Sequence, residues 1–133
     1  NEEPSNASAG IAITRRNMAR SGQLFLNQGQ WLGKQVVPAQ WTHTSTAEHI
    51  KGEGEFYSLY SYGYQWWRLQ DHDPTVSNLA VNDLYMAYGD GGQLILVIPH
   101  LDMVVVSTGS NFFDDSRLVL DMLRDHVFPA VRY

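Results

Sequence analysis

Cysteine is absent from the 133-residue chain, which excludes disulfide bonds, thiolate metal sites and a cysteine nucleophile. Basic residues are few, with 9 Lys and Arg against 14 Asp and Glu and a net charge of -5. Since nucleic-acid binding needs clustered basic residues and Arg15–Arg16 is the largest cluster, no nucleic-acid partner is expected. No apolar run approaches the roughly 20 residues of a membrane-spanning helix, so no membrane span is expected. The first residues do not resemble a signal peptide, and the sequence predicts no compartment.

Complete catalytic motifs are absent as well. Neither Lys34 nor Lys51 follows a serine by three residues, so the Ser-x-x-Lys pair of nucleophile and base does not occur. The Gly-x-Ser-x-Gly elbow, the His-Glu-x-x-His zinc motif and the Gly-x-x-x-x-Gly-Lys phosphate loop do not occur either. The densest group of potential metal ligands, Asp71–Asp73, lies on adjacent residues that point in different directions. We interpret it as a solvated loop and predict no metal and no cofactor.

The amino-terminal part of the chain predicts two helices. Residues 1–10 are small and polar and are interpreted as an extended lead-in. Thr14 is an expected N-cap for a helix over about 15–28, whose apolar residues follow helical spacing. Pro38 is well suited to the first turn of a short second helix that ends near Trp41.

The remaining pattern is that of strands. A stretch over 57–67 carries large rings on alternate residues, and 93–98 and 103–107 are strongly apolar. The polar, proline-containing segment 71–83 is expected to be a loop, and 99–102 has a length that suits a hairpin. A small antiparallel sheet of about three strands is therefore predicted, with at least one open edge.

A last helix completes the predicted fold. It is expected to begin at Asp114 or Asp115 and to end at Pro129. The order helix, short helix, three strands, helix is typical of an α+β fold in which helices cover the sheet. We assign 1–133 to a single partial domain, with no internal repeat.

Two features of the chain are candidates for binding. Four aromatic residues could line a substrate cleft, although rings on a strand lie more often in the core: Tyr62, Tyr64, Trp66 and Trp67. The glycine-rich stretch 88–93 leads into an apolar strand. It indicates either a bulged strand start or a backbone open to a ligand, where an amide can bind an oxyanion. The sequence leaves both interpretations open.

Five segments in this order resemble the β-lactamase-related serine hydrolases: 14–29, 31–41, 62–67, 89–99 and 103–127. This family includes class C β-lactamases, DD-peptidases, carboxylesterases and aminohexanoate-dimer hydrolases. The resemblance implies the carboxy-terminal half of a β-lactamase-like domain and acyl transfer through a serine ester. It also implies that the serine, lysine and tyrosine of this chemistry lie in an amino-terminal portion that the chain lacks.

The resemblance further implies a third active-site box on Ala87, Tyr88 and Gly89, with the Asp90 amide as the second oxyanion donor. A second register places the box on 90–92, with the Gln93 amide as donor. Lactamases and peptidases of the family have Lys or His at the first box position, whereas Ala87 or Asp90 stands here. Esters or uncharged amides are therefore expected as substrates rather than penicillins. The predicted substrate-binding residues are Tyr62, Tyr64, Trp66, Gly91, Gly92 and Gln93.

The open sheet edge predicts a partner. In the full fold, amino-terminal strands would pair around 104–106, and without them this edge is expected to bind the missing half or a second copy of the chain. The chain alone is expected to be inactive. The alternative is a stand-alone, self-associating scaffold or binding module derived from such an enzyme. Upstream Ser-x-x-Lys and Tyr-x-Asn motifs would favour the fragment, and a complete short reading frame would favour the module.

Overall fold

The computed structural model describes residues 10–110 and 117–131, without the side chains of Glu55 and Phe56. Almost all of the expected lead-in, and the expected N-cap at Asp114 or Asp115, lie outside the described residues. In the described part, no helix has the length and hydropathy needed to cross a membrane.

Helix α1 spans Arg15–Leu26, and the Thr14 hydroxyl accepts a hydrogen bond from the Asn17 amide at 3.3 Å, as expected of an N-cap. The helix ends slightly earlier than expected, because Gln28 and Gly29 have left-handed backbones. A two-stranded hairpin follows, formed by β1 (Gln30–Trp31) and β2 (Lys34–Gln35). Helix α2 then runs over Ala39–Thr46 and is longer than the sequence pattern predicted.

The main sheet has six antiparallel strands in sequential order, where about three were expected. They are β3 (Ile50–Lys51), β4 (Tyr60–Tyr62), β5 (Trp67–Leu69), β6 (Tyr85–Gly89), β7 (Gln93–Ile98) and β8 (Met103–Ser107). The short helix α3, Gly54–Tyr57, connects β3 to β4. The antiparallel α+β class is confirmed. The strand count was wrong because β3, β4 and β5 have only two or three residues each, too few for a periodic pattern, and because β6 has buried residues on both faces and shows no alternation.

The single strand expected over 57–67 is instead a hairpin. Tyr62 pairs with Trp67, and the residues between them form a turn in which Gln65 has a φ of 67°. Because the chain reverses here, side chains before and after the turn do not follow one alternating pattern along a single strand. The structure therefore overturns the prediction of large rings along one side of one strand.

The carboxy-terminal helix consists of α4 (Leu118–Met122), a wider π-helical turn over Leu123–Val127, and α5 (Phe128–Ala130). Pro129 lies in the first turn of α5, where the sequence predicted that it would end the helix. A proline has no amide hydrogen to donate to the preceding turn. The first turn of a new segment tolerates this loss, so the helix continues past the proline.

Helices cover both faces of the sheet. On one face, the buried side chains of β6 and β7 form a core with the carboxy-terminal helix; its fully buried members are Leu84, Met86, Leu94, Leu96, Ile98, Leu120 and Leu123. On the other face α1 packs along β7 and β8. Phe25 and Leu26 of α1 contact a second, smaller cluster formed by Trp66, Tyr85 and Val97. The sheet is thus the middle layer of three.

Candidate functional site

Strand β6, which carries the predicted box, lies inside the sheet between β5 and β7. Its side chains alternate between the two faces. Ala87 is half-buried and packs on the α1 side, with the cluster that includes Phe25 and Leu26. Tyr88 packs on the opposite side, against the core beneath the carboxy-terminal helix. The first box residue therefore faces α1, and its small side chain brings no charge to that face.

The predicted oxyanion donor lies where β6 ends. Gly89 pairs with Gln93, so Asp90, Gly91 and Gly92 form a three-residue turn between β6 and β7. Gly91 and Gly92 have φ angles of 74° and 90°, which favour glycine. The Asp90 carboxylate accepts a hydrogen bond from the Gly91 amide at 2.9 Å. The Asp90 amide is thus the first amide beyond the paired residues of β6 and β7. In the second register, the box lies on the turn itself.

The turn packs closely against the segment that follows β8. The Gln93 side-chain amide donates a hydrogen bond to the Gly109 carbonyl. A Cβ atom at Gly109 would lie 2.7 Å from the Gly91 carbonyl oxygen. Gly91 and Gly92 are buried. The left-handed backbone accounts for Gly91 and Gly92, and the close approach of the turn accounts for Gly109. The substrate-binding role of Gly91, Gly92 and Gln93 stays a prediction.

Trp66 is a core residue. Its ring lies 4.5 Å from that of Phe25 and 5.1 Å from that of Tyr85, measured between centroids. Burial at this contact raises the pKa of Tyr85 to about 12, because an ionised phenol would lose its hydration. Trp66 therefore joins α1 to the sheet, and the structure gives it little surface for contact with a ligand.

Tyr64 and Tyr62 lie in two other environments. Tyr64 is 50% exposed, and its ring stacks on Trp41 at 5.6 Å and on His49 at 4.4 Å. Tyr62 is half-buried, and its ring lies 4.5 Å from that of Trp67. The hairpin turn thus places the three predicted aromatic residues in three settings rather than along one cleft wall. Their role in substrate binding stays a prediction.

A buried ion pair, which the sequence did not indicate, joins segment 71–83 to the carboxy-terminal helix. Asp73 is fully buried, and its Oδ1 accepts hydrogen bonds from Arg117 Nη2 at 2.9 Å and from the Thr75 amide at 2.8 Å. Arg117 Nη1 donates to the Tyr60 hydroxyl at 3.0 Å. Burial alone would lower the pKa of the Arg117 guanidinium, but Asp73 and Tyr60 raise it overall. Asp73 therefore belongs to no solvated loop, contrary to the prediction.

Asp71 accepts a hydrogen bond from the Asn82 side-chain amide at 2.9 Å, so this residue is also held by the fold. Over 10–110 and 117–131, no three His, Cys, Asp or Glu side chains are grouped as metal ligands would be.

Known proteins resemble the chain over part of their length, although no family model matches it. The chain is 30% identical over 111 residues to a 6-aminohexanoate-dimer hydrolase of Paenarthrobacter ureafaciens, covering 78% of this chain and 26% of the hydrolase. A Bacillus anthracis structure, provisionally assigned as a 6-aminohexanoate-dimer hydrolase, is 30% identical with a TM-score of 0.58. The match covers 80% of this chain and 25% of that one.

A third match, to a penicillin-binding protein homologue from Caulobacter crescentus, has a TM-score of 0.52 at 18% identity. It covers 71% of this chain and 26% of the homologue, and at this identity it shows the fold alone. The chain thus spans about a quarter of the length of each of these relatives.

Proposed function

We propose that the chain supplies the oxyanion-side strand and one wall of the cleft in a β-lactamase-like serine hydrolase, because it corresponds to part of such an enzyme. The single observation that carries this proposal is the match to about a quarter of the length of two hydrolases at 30% identity. In this proposal the chain is the carboxy-terminal part of the enzyme.

The nucleophile belongs to the rest of the enzyme. The chain has no Ser-x-x-Lys pair and no other complete nucleophilic motif. A serine is a weak nucleophile unless a base lies within hydrogen-bonding distance, so a lone serine of this chain is not expected to form an acyl-enzyme. The chain alone is therefore proposed to be inactive.

The proposed contribution to catalysis comes from the backbone of β6. When a serine attacks the carbonyl of an ester or amide, negative charge develops on the carbonyl oxygen. The Asp90 amide, just beyond the β6 ladder, would donate a hydrogen bond to this oxygen. In this register the first box residue, Ala87, lies on the α1 side of the sheet.

The proposed substrate is an ester or an uncharged amide. A cation at the first box position would favour a carboxylate-bearing substrate, but Ala87 is uncharged and packs against apolar residues. The alternative first position, Asp90, would repel a carboxylate. Rapid turnover of a penicillin by the complete enzyme would contradict this assignment.

The inactivity of the isolated chain can be tested with a fluorophosphonate serine probe and a p-nitrophenyl ester. We expect no adduct in the intact mass and no turnover of the ester above that of buffer. Labelling of one serine, with turnover that is lost when this serine is changed to alanine, would show a catalytic centre within the chain.

The role of the Asp90 amide can be tested in a complete enzyme. Residues 10–131 would replace the matching quarter of the P. ureafaciens hydrolase, and Asp90→Pro would remove the amide hydrogen while suiting the first position of the turn. We expect kcat to fall by roughly 10²–10³-fold, the usual effect of losing one oxyanion donor. Asp90→Asn is the matched control, because it keeps the amide and a side-chain oxygen for Gly91. Equal activity of the two variants would place the donor elsewhere.

A second candidate function is a non-catalytic module that binds a second copy of the chain. The observation that favours it is the apolar edge strand β8, in which Met103, Val104, Val105 and Val106 lie in sequence. Such an edge can pair with another strand of any origin. A stable dimer of the isolated chain would favour this module, and a monomer at every concentration tested would count against it.

A further inference from the structure

A pocket of about 280 Å³ lies at the opposite end of the sheet from β8. Its walls come from β3, α3, β4 and β5, and they are formed by Ile50, Gly52, Glu53, Tyr57, Ser61, Tyr62 and Trp67. Trp67 pairs with Met86, whose side chain lies in the core on the face opposite to Ala87. The pocket is therefore separate from the end of β6, and a ligand bound in it would be independent of the proposed oxyanion donor.

The local sequence builds this pocket by folding α3 back over β3. The Gly52 amide donates a hydrogen bond to the Tyr60 carbonyl at 3.0 Å, which holds the end of β3 against β4. A Cβ atom at Gly52 would collide with the Tyr57 carbonyl, so only glycine allows α3 to approach this closely. The close approach brings Tyr57 into the same pocket lining as Tyr62 and Trp67.

The three aromatic side chains give the pocket its chemistry. The rings of Tyr62 and Trp67 lie 4.5 Å apart at an angle of 57°, so their faces point in different directions. Tyr57 is 56% exposed and forms part of the same wall. The face of an aromatic ring carries negative charge density and attracts cations. Rings that meet at an angle can contact one rounded cation from several sides.

Charge in the pocket favours the same ligand. Glu53 is the one charged residue among the described residues that line it, and its side chain is exposed. Lys51, the nearest lysine in sequence, lies 3.6 Å from Glu48 rather than in the lining. A carboxylate beside three rings, with no cation among the described lining residues, attracts a positively charged group and repels an anion.

From this lining we infer that the pocket binds an organic cation with a quaternary ammonium group. Apart from the Glu53 carboxylate the exposed lining is almost entirely apolar, because the Ser61 hydroxyl is buried, so a primary ammonium would leave N–H groups without acceptors. Burying such donors without partners is unfavourable. A quaternary ammonium has no N–H group and fills the space with methyl groups. Its charge interacts with the rings and with Glu53.

The test uses the 133-residue chain with choline and with 3,3-dimethylbutan-1-ol, which has nearly the same shape and no charge. Binding is followed by tryptophan fluorescence and by the NMR shift of the Trp67 indole. We expect saturable binding of choline at least about tenfold tighter than that of the neutral alcohol, the difference that a cation–π site provides. Equal affinities, or no saturable binding of choline, would overturn the inference.

Three variants locate the site. Tyr57→Leu keeps apolar bulk without a ring, and Glu53→Gln removes the charge; each is expected to weaken choline binding by roughly threefold to tenfold and to leave the alcohol unchanged. Asp102→Asn, which removes one negative charge at the distant β7–β8 connection, is the control and is expected to bind choline as the unchanged chain does. Tyr57 and Glu53 are exposed, so both variants should fold, which circular dichroism would verify. An equal loss in all three variants would overturn the inference.

Discussion

The two edges of the main sheet are built differently. Strand β3 has only two residues, both exposed, and one of them is Lys51. Strand β8 has five residues, all half-buried, and its apolar run includes Val104–Val106. Natural sheets protect a true edge with short strands and lysine. The β3 edge shows both features and β8 shows neither, in keeping with the proposal that the sheet of the complete enzyme continues beyond β8.

The helices that cover the sheet also differ between its two edges. Helix α1 lies over β7 and β8, so the covering of the sheet extends to the β8 edge. At the other end, β3 is flanked by the short helix α3 and by the aromatic pocket. A helix that covers an edge strand protects its face but leaves its outer amides and carbonyls without a neighbouring strand. In the proposed enzyme, a strand from the rest of the protein supplies that neighbour.

The largest expected effect on stability comes from a substitution in the interior beside β8. Leu96 is 1% exposed, and Leu96→Ala should lower the free energy of unfolding by about 2–5 kcal/mol, because it removes buried methyl groups and leaves a cavity. Ile50→Ala on β3, where the side chain is 67% exposed, should change it by less than about 0.5 kcal/mol. Urea denaturation of both variants measures the contrast. Similar losses would show that the β3 end is packed as tightly as the β8 end.

The contact between α1 and β8 can be disturbed at Gly22. A Cβ atom there would lie 2.5 Å from Val104 Cγ1 and 2.9 Å from Ile95 Cγ2. Gly22→Val should therefore destabilise the chain by about 1–3 kcal/mol through overpacking. Ser21→Val introduces the same side chain at an exposed neighbour and should cost less than about 0.5 kcal/mol. If thermal denaturation shows no difference between the two variants, α1 does not hold the β8 end.

The β8 edge itself can be blocked with a charge. Val106→Lys places a lysine on the edge strand and should weaken self-association of the chain about tenfold, because a pairing strand would have to bury the charge. Val106→Thr keeps the branched shape and should associate nearly as the unchanged chain does. Light scattering over a range of concentrations measures both. Unchanged association in the lysine variant would mean that the chain associates through another surface.

The smallest expected effect comes from Tyr85, inside the sheet. Its folded pKa of about 12 lies above the unfolded value near 10, so the folded state keeps its proton longer as the pH rises. The stability that this shift provides is complete below pH ~10 and is lost between pH ~10 and ~12. Relative to Tyr85→Phe, the free energy of unfolding of the chain should fall by on the order of 1 kcal/mol by pH ~11. If the free energies of unfolding of the chain and of Tyr85→Phe change in parallel with pH, burial does not raise the pKa of Tyr85.

The sequence predicted the β8 half of the fold better than the β3 half. Strands β7 and β8 begin and end at the residues that the apolar pattern indicated, because a short run of consecutive apolar residues bounded by turn residues indicates a strand without tertiary information. The short strands β3 to β5 depend on pairing with their neighbours. Strand β6 has buried residues on both faces, so it shows no alternation of apolar and polar residues.

The candidate site was predictable only in part. The resemblance predicted a box that begins at Ala87, which stays a prediction, and the structure describes the strand and turn that would carry it. The separation of Tyr62 from Trp66 was missed, since Gly63 is the only turn residue between them and the left-handed backbone lies at Gln65 rather than at a glycine. The pair Asp73–Arg117 spans 44 residues, a distance over which no spacing rule applies.

Hydrogen exchange at the two edges is the most direct test of the central claim, that β8 and not β3 joins other sequence. The amides of Val104–Val106 that point away from β7 should exchange fast in dilute chain and become protected as the concentration rises. The amides of Ile50 and Lys51 should exchange at a rate that does not depend on concentration. Protection that rises at β3 while the outer β8 amides stay unprotected would contradict the account.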